Sequence, residues 1–239
     1  MSIVFIISAP SGSGKSTLVN KVLEIVPDLD FSISYTTRSP RGNEQNGREY
    51  FFVTRQHFEE MVRQNEFLEH ADVFGNCYGT SAGFLRKAEE RGHDLLLDID
   101  VQGAQQIKQK IPDAVSIFVL PPNRHELEHR LRSRGQDSEE VIRRRLVTAS
   151  REIENYPKYD YILVNDRLPD SIEALKSILL GERLKRSGAR DARSADEMKI
   201  LMTAERWRLA NVQERLQPIL ASFKQTTAHE RPLEAGRIP

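Results

Sequence analysis

The segment SAPSGSGKST, residues 8–17, combines residue types and spacing that specify a chemistry directly. Gly12 and Gly14 carry no side chain to obstruct backbone N–H groups turning inward toward phosphate oxygens. Lys15 supplies a point charge for the β and γ phosphates of a nucleoside triphosphate. The Ser16 hydroxyl is placed to ligate Mg²⁺, and a helix starting here adds the positive end of its dipole. Ser8, Ala9, Pro10, Ser11, Ser13 and Thr17 complete the cradle. Ala9 stands where the usual G-x-x-x-x-G-K-[ST] pattern has its first glycine. The segment lies between the apolar run IVFIIS (3–8) and the helical stretch STLVNKVLEIV, the strand–loop–helix context that a P-loop requires. It specifies triphosphate binding and leaves the reaction open.

A second anion site is suggested by SISYTTRSPRGNEQNGREYFF (32–52). Arg38 and Arg41 lie three residues apart in a turn-prone stretch, and Tyr50 follows. Guanidinium forks match phosphate oxygens bidentately, and a tyrosine hydroxyl can add a hydrogen bond. Taken alone, two arginines in a polar loop are more often simply solvated. A third cluster, Arg124 to Arg145, falls in a region rich in Glu, and its members suit either a closing lid or i,i+4 pairs on helix faces.

The elements that must position these groups follow from the apolar pattern. Buried β runs recur at 3–8, 95–100, 115–120 and 161–164, with helical stretches near 81–91, 102–111, 123–133 and 138–154 between them. That alternation predicts a parallel sheet flanked by helices. Residues 31–80 differ: short strands at 31–36, 50–53 and 67–74 with a helix near 55–64 predict an inserted, antiparallel lobe. A chain of 239 residues with 35 Lys+Arg against 35 Asp+Glu has no global field drawing it to nucleic acid or membrane. The lone cysteine, Cys77, excludes an internal disulfide framework, and IVFII is too short for a membrane span, so a cytoplasmic protein is expected. From Gly181 onward there are 12 Lys/Arg against 8 Asp/Glu, a mildly basic tail on a mildly acidic core. In that tail Met198, Met202, Leu209, Val212, Leu216, Ile219 and Phe223 recur at three- and four-residue steps, predicting one amphipathic helix bent near Pro218. Its stripe can dock on the core, pair with a second copy as a homo-oligomer, or stay unpacked.

The ordered set SAPSGSGKST, SYTTRSPR, NGREYFF, EFLEHADVFGNCYGT (66–80), LLLDIDVQG (95–103), RLRSRGQDSEEVIRRRL (130–146) and DYILVND (160–166) closely resembles the guanylate kinase family over about residues 3–187. The resemblance implies an α/β P-loop three-layer fold with a central parallel sheet, an inserted mixed α/β GMP-binding lobe and a mobile lid. In this chain the core would be about 1–31 and 82–187, the lobe about 32–81 and the lid about 124–150, with 188–239 an extension outside the pattern. It implies ATP and GMP as substrates, with Mg²⁺ as cofactor. Ser34, Glu69 and Thr80 match positions that read guanine; a carboxylate can accept from guanine N1–H and its exocyclic amine, a donor pair that adenine lacks. Arg38, Arg41, Tyr50 and Tyr78 match the grip on the GMP phosphate, and Asp98 and Asp100 the acidic pair beside the acceptor and metal. Arg130, Arg134 and Arg145 match lid positions that reach the ATP phosphates, and Asn165 a position near adenine. Lys15, Arg38, Arg134 and Arg145 would share the charge of the transferring group.

Each position also has a structural alternative: Glu69 a surface carboxylate, Tyr78 a packing aromatic, Asp98 or Asp100 a helix cap, and Asn165 a turn residue. Two other readings of the whole chain stay open. One is a related kinase with a different acceptor, such as a ribose bisphosphate, which has no need of Ser34, Glu69 and Tyr78 together. The other is a non-catalytic phosphopeptide-binding domain of the scaffold type, which characteristically lacks an intact phosphate loop.

Overall fold

The computed structural model describes residues 2–73, 75–133, 135, 137–188 and 194–224. The core is a five-stranded parallel sheet of β1 (Val4–Ser8), β2 (Leu29–Ser32), β7 (Asp94–Asp98), β8 (Val115–Leu120) and β9 (Tyr161–Val164), in the order β2-β7-β1-β8-β9. β1 is wholly buried because both its faces are covered. Along it Val4 and Ile6 join one core layer while Ile3, Phe5 and Ile7 join the other, the period of two expected of a strand. The second layer packs against α1 (Lys15–Ile25) and α7 (Leu168–Arg186). The first packs against α3 (Ala82–Arg91), α4 (Val101–Lys110), α5 (Arg124–Ser133) and α6 (Glu139–Ile153). β1 lies mid-sheet, next in space to β7 and β8 although neither follows it in sequence. Its carboxyl end is therefore the switch point at which open α/β sheets bind ligands.

A second sheet, β4-β3-β6-β5, is made of β3 (Tyr35–Thr36), β4 (Phe51–Phe52), β5 (Phe67–Val73) and β6 (Asn76–Ser81). With α2 (Arg55–Arg63), it encloses a small core of Phe58, Met61 and Phe67, in which Phe58 and Phe67 stack with ring centroids 4.6 Å apart. Two expectations are corrected here. The run 31–36 is not one strand of the lobe: Phe31 and Ser32 close β2, which pairs with β7 in the core sheet, and only Tyr35 and Thr36 belong to the second sheet. That sheet is mixed rather than antiparallel, because β3 and β4 run parallel. Periodicity cannot assign a short run to one of two sheets; the pairing partner does.

The predicted single helix of the tail is two, α8 (Ala195–Glu205) and α9 (Leu209–Lys224), and the break falls at Arg206–Arg208, whereas Pro218 lies inside α9. The break is fixed by the sheet. Trp207 O accepts from Ile162 N at 2.9 Å and Leu209 N donates to Asp160 O at 3.0 Å, so the linker covers the outer edge of β9. Beyond it Val212, Leu216, Ile219 and Phe223 enter the same core layer as Leu127, Leu131, Ile142 and Leu146 of α5 and α6. Met198 and Met202, assigned to the same stripe, are exposed at 49% and 62%. The apolar face of α9 thus docks on the chain's own core.

Leu216 is completely buried there. Leu216→Ala should cost about 3 kcal/mol by leaving a cavity, measured by urea unfolding with Trp207, the chain's single tryptophan, as reporter. An unchanged midpoint would mean that α9 contributes nothing to stability.

Candidate functional site

The loop after β1 is shaped by what packs behind it. Gly14, with φ +86, caps α1 in the left-handed region, and a Cβ there would lie 2.4 Å from Asn165 Nδ2. Asn165, buried at the end of β9, donates Nδ2 to Ser13 O at 2.7 Å. Arg130, from α5, donates Nη1 to the same carbonyl at 3.3 Å and Nη2 to Asn165 O at 3.0 Å, while its Nε donates to Glu126 at 2.7 Å. The residues matched to the adenine and ATP phosphate positions are therefore clamped here on the loop's own Ser13 carbonyl. Ser16 and Thr17 are exposed on the first turn of α1, while Ser8 and Ser13 are buried. Lys15 forms an ion pair with Asp98, the last residue of β7.

Across from this loop lies the arginine-bearing segment between β3 and β4. Arg38 is only 9% exposed, and its fork meets the Glu44 carboxylate through two hydrogen bonds of 2.9 and 3.0 Å. Its guanidinium also lies over the Tyr50 and Phe52 rings, 5.3 and 5.7 Å from their centroids, and is hydrogen-bonded to Tyr78. Arg38 holds Glu44 below the usual carboxylate range. The Glu44 carboxylate accepts from Arg41 N at 2.8 Å, and the Arg41 side chain is exposed. Burial, and then the negative field of Asp98, push the Tyr50 hydroxyl up to about 12. Tyr50 and Tyr78 meet edge to face at 5.8 Å. Asp98 thus pairs with Lys15 and exerts its charge on Tyr50, the ring that Arg38 overlies.

Glu69 and Thr80 are directly paired residues of β5 and β6, and Thr80 Oγ1 donates to Glu69 Oε1 at 2.5 Å. Both are buried, and Glu69 lies against the first turn of α4, where a Cβ on Gly103 would come within 2.5 Å of Glu69 Oε2. Burial raises the Glu69 carboxyl to about 7, with Asp100 adding to the rise and the Thr80 hydrogen bond opposing it. Asp100 takes the cap role, accepting from Gly103 N at 2.9 Å, and in doing so lies beside Glu69. Ser34 is half-buried at the head of β3, and its carbonyl accepts from Phe51 N at 2.9 Å.

Four of the described arginines of 124–145, Arg130, Arg132, Arg144 and Arg145, pair with acids. Arg145 donates to Asp137 at 2.6 Å, Arg132 pairs with Glu128 and Glu139, and Arg144 with Glu140. Arg134 lies outside the described residues. Glu44, Glu126 and Asp137 do not figure among the sequence-based candidates, yet each occupies a guanidinium expected to bind phosphate. Their proximity in sequence, six, four and eight residues from their arginines, was the available signal. Among the described residues no group of three or more His, Cys, Asp or Glu is placed to hold a metal ion, and no helix is long and apolar enough to cross a membrane.

The family model described as "Guanylate kinase" matches residues 1–182. A guanylate kinase of Koribacter versatilis is 57% identical over 227 residues, covering 94% of this chain and 97% of that protein. One from Escherichia coli K12 is 49% identical over 200 residues, covering 83% and 97%. Among solved structures, a crystal structure of guanylate kinase from Anaplasma phagocytophilum is similar, with a TM-score of 0.61 at 31% identity over 85% of this chain and 95% of that one. A family model that matches three quarters of the chain and relatives of this identity and coverage show that the chain belongs to the guanylate kinase family.

Proposed function

We propose that the chain transfers the γ-phosphoryl group of ATP to GMP, or to dGMP, giving ADP and GDP. The observation that supports this reading best is the position of Asp98, which pairs with Lys15 of the donor loop and whose charge acts on Tyr50, the ring that the Arg38 guanidinium overlies. A phosphate monoester is already ionised at neutral pH, so its oxygen can attack in line without a strong general base. What the protein must supply is alignment and charge neutralisation. The GMP phosphate exchanges for the Glu44 carboxylate on Arg38 and is held with Arg41, Tyr50 and Tyr78. Its base lies over the Glu69–Thr80 pair, with Ser34 and Asp100 beside it. The donor's phosphates draw Lys15 away from Asp98. Arg134 and Arg145 come in with the lid formed by about residues 124–150, Arg145 leaving Asp137. Arg130 and Asn165 hold the loop from behind and border the donor nucleotide.

The Ser16 hydroxyl, exposed on the first turn of α1 next to Lys15, is of the oxygen-donor type that Mg²⁺ takes alongside phosphate oxygens, so the residues present fit this ion. When bound it supplies charge neutralisation across the donor phosphates. In this reading residues 1–187 form the kinase unit, with about 32–81 as the acceptor lobe and 188–239 as the extension. A cytoplasmic location and the absence of nucleic-acid partners belong to the same reading, and association of copies through the exposed face of α8 remains part of it.

A coupled ADP-release assay across GMP, AMP, UMP and dTMP should give turnover with GMP far above the others; equal rates with AMP would reject the acceptor assignment. Lys15→Met should lower kcat by about 1,000-fold or more while leaving the circular dichroism spectrum unchanged. Near-normal turnover would remove the phosphate loop from the mechanism. Glu69→Gln should weaken GMP binding by about 100-fold, because a carboxamide cannot accept both guanine donors. The sign of its pH dependence follows from burial: the ionised carboxylate accepts guanine, so GMP affinity should rise as pH climbs through about 7. The phosphate's own ionisation near about 6 is common to both proteins, and the difference between wild type and Glu69→Gln isolates Glu69. Identical pH profiles would show that the base is read elsewhere.

A further inference from the structure

Close to the phosphate loop lies a group for which the transfer just described has no use. Glu152 sits in the last turn of α6, at the root of the segment that carries Arg145. Its Oε2 atom is fully buried and has no hydrogen-bond partner among the described residues. The Ser11 peptide, Lys15 and Asp100 lie within the electrostatic reach of this carboxylate. Beside it the Tyr159 hydroxyl, also buried, is turned toward Ser8, the last residue of β1, and feels the charges of both Glu152 and Asp100. A cluster of buried oxygens from α6, β1 and the approach to β9 is therefore gathered around the first half of the loop.

We propose that Glu152 is a positioning residue for phosphoryl transfer, fixing the Ser11 peptide of the phosphate loop and linking the root of the lid helix to the donor site. This role rests on the reading of the chain as an ATP:GMP phosphotransferase. An acidic side chain buried at this point is costly unless it holds something in place. The Ser11 peptide begins the turn that ends at Gly14, so its orientation sets where the later N–H groups point. Asn165 and Arg130 hold the other half of that turn through Ser13 O. Glu152 adds a support at Ser11, and it does so from α6, so lid position and loop geometry are read by one carboxyl group.

Charge makes the role testable apart from packing. Burial pushes the Glu152 carboxyl up to about 7, with Lys15 opposing and Asp100 adding to the rise. The groups that face it are Lys15 of α1, Asp100 at the head of α4, Tyr159 before β9 and the Ser11 N–H; Asp98 of β7 acts through its pair with Lys15. Donor phosphates bring further negative charge and draw on Lys15, both of which favour the protonated carboxyl. ATP binding should then take up a proton and weaken as pH rises from about 6 to about 8.

The test compares the full chain with Glu152→Gln and Glu152→Leu, measuring kcat at saturating ATP, KM for GMP, and ATP affinity against pH. The Gln variant keeps an acceptor for the Ser11 N–H, and its kcat should stay within about threefold of wild type. The Leu variant fills the space without an acceptor and should lose about tenfold or more in kcat, with KM for GMP unchanged as the sign of an intact fold. The Gln variant should also lack the part of the ATP pH dependence that wild type shows beyond that of the nucleotide itself. Full turnover in the Leu variant, equal losses in Gln and Leu, or a wild-type pH slope in Gln would each overturn the assignment while leaving the enzyme reading intact. A wild-type protein without GMP-dependent turnover would overturn both.

Discussion

Two phosphate groups that must touch repel one another, and the site is organised around that repulsion. Positive charge has to be concentrated at one end of a sheet without driving the protein apart in its own right. Four of the candidate site cations are met by a carboxylate: Lys15 by Asp98, Arg38 by Glu44, Arg130 by Glu126 and Arg145 by Asp137. Binding a phosphate then becomes an exchange of one oxyanion for another. Arg38 is the clearest instance, since a fork buried without its partner would bear a heavy desolvation penalty. The equal totals of basic and acidic residues in the whole chain have a local counterpart at these four pairs.

The fold supplies what these pairs cannot, a fixed distance between the two cationic sites. β7 lies between β1 and β2 in the sheet, and its last residue, Asp98, touches Lys15 on one side and the field of Tyr50 on the other. Two residues on, Asp100 caps α4 and borders Glu69. A single strand end thus borders both the loop after β1 and the buried Glu69. The inserted sheet has its own small aromatic core and is tied to the main body through α4, where Gln106 bonds both the N–H and the carbonyl of His70.

Much of this is legible in the residues themselves. SAPSGSGKST after a β-branched run leaves little choice of local structure, and the buried runs at 95–100, 115–120 and 161–164 mark strands by length and apolarity alone. Helix α7 carries signals of its own, with Pro169 and Asp170 in its first turn and Ile172, Leu175, Ile178 and Leu179 at helical spacing along it. What sequence could not supply was pairing. Phe31 belongs with β7 and Tyr35 with β6, and nothing within 31–36 states that. The same holds for the site: Glu44, Asp137 and Glu152 read as ordinary surface acids until the chain places them on an arginine or behind a phosphate loop. Burial turned those residues into functional groups, and burial is a property of the assembled chain.

The docking of α9 has a bearing on how the molecule comes into being. Val212, Leu216, Ile219 and Phe223 complete a layer whose other members include Val4 and Ile6 of the first strand. A ribosome delivers those two ends of the list far apart in time. Until the final helix has cleared the exit tunnel, the outer edge of β9 and the backs of α5 and α6 stay open to solvent and to other nascent chains, the circumstance in which chaperones engage a growing polypeptide.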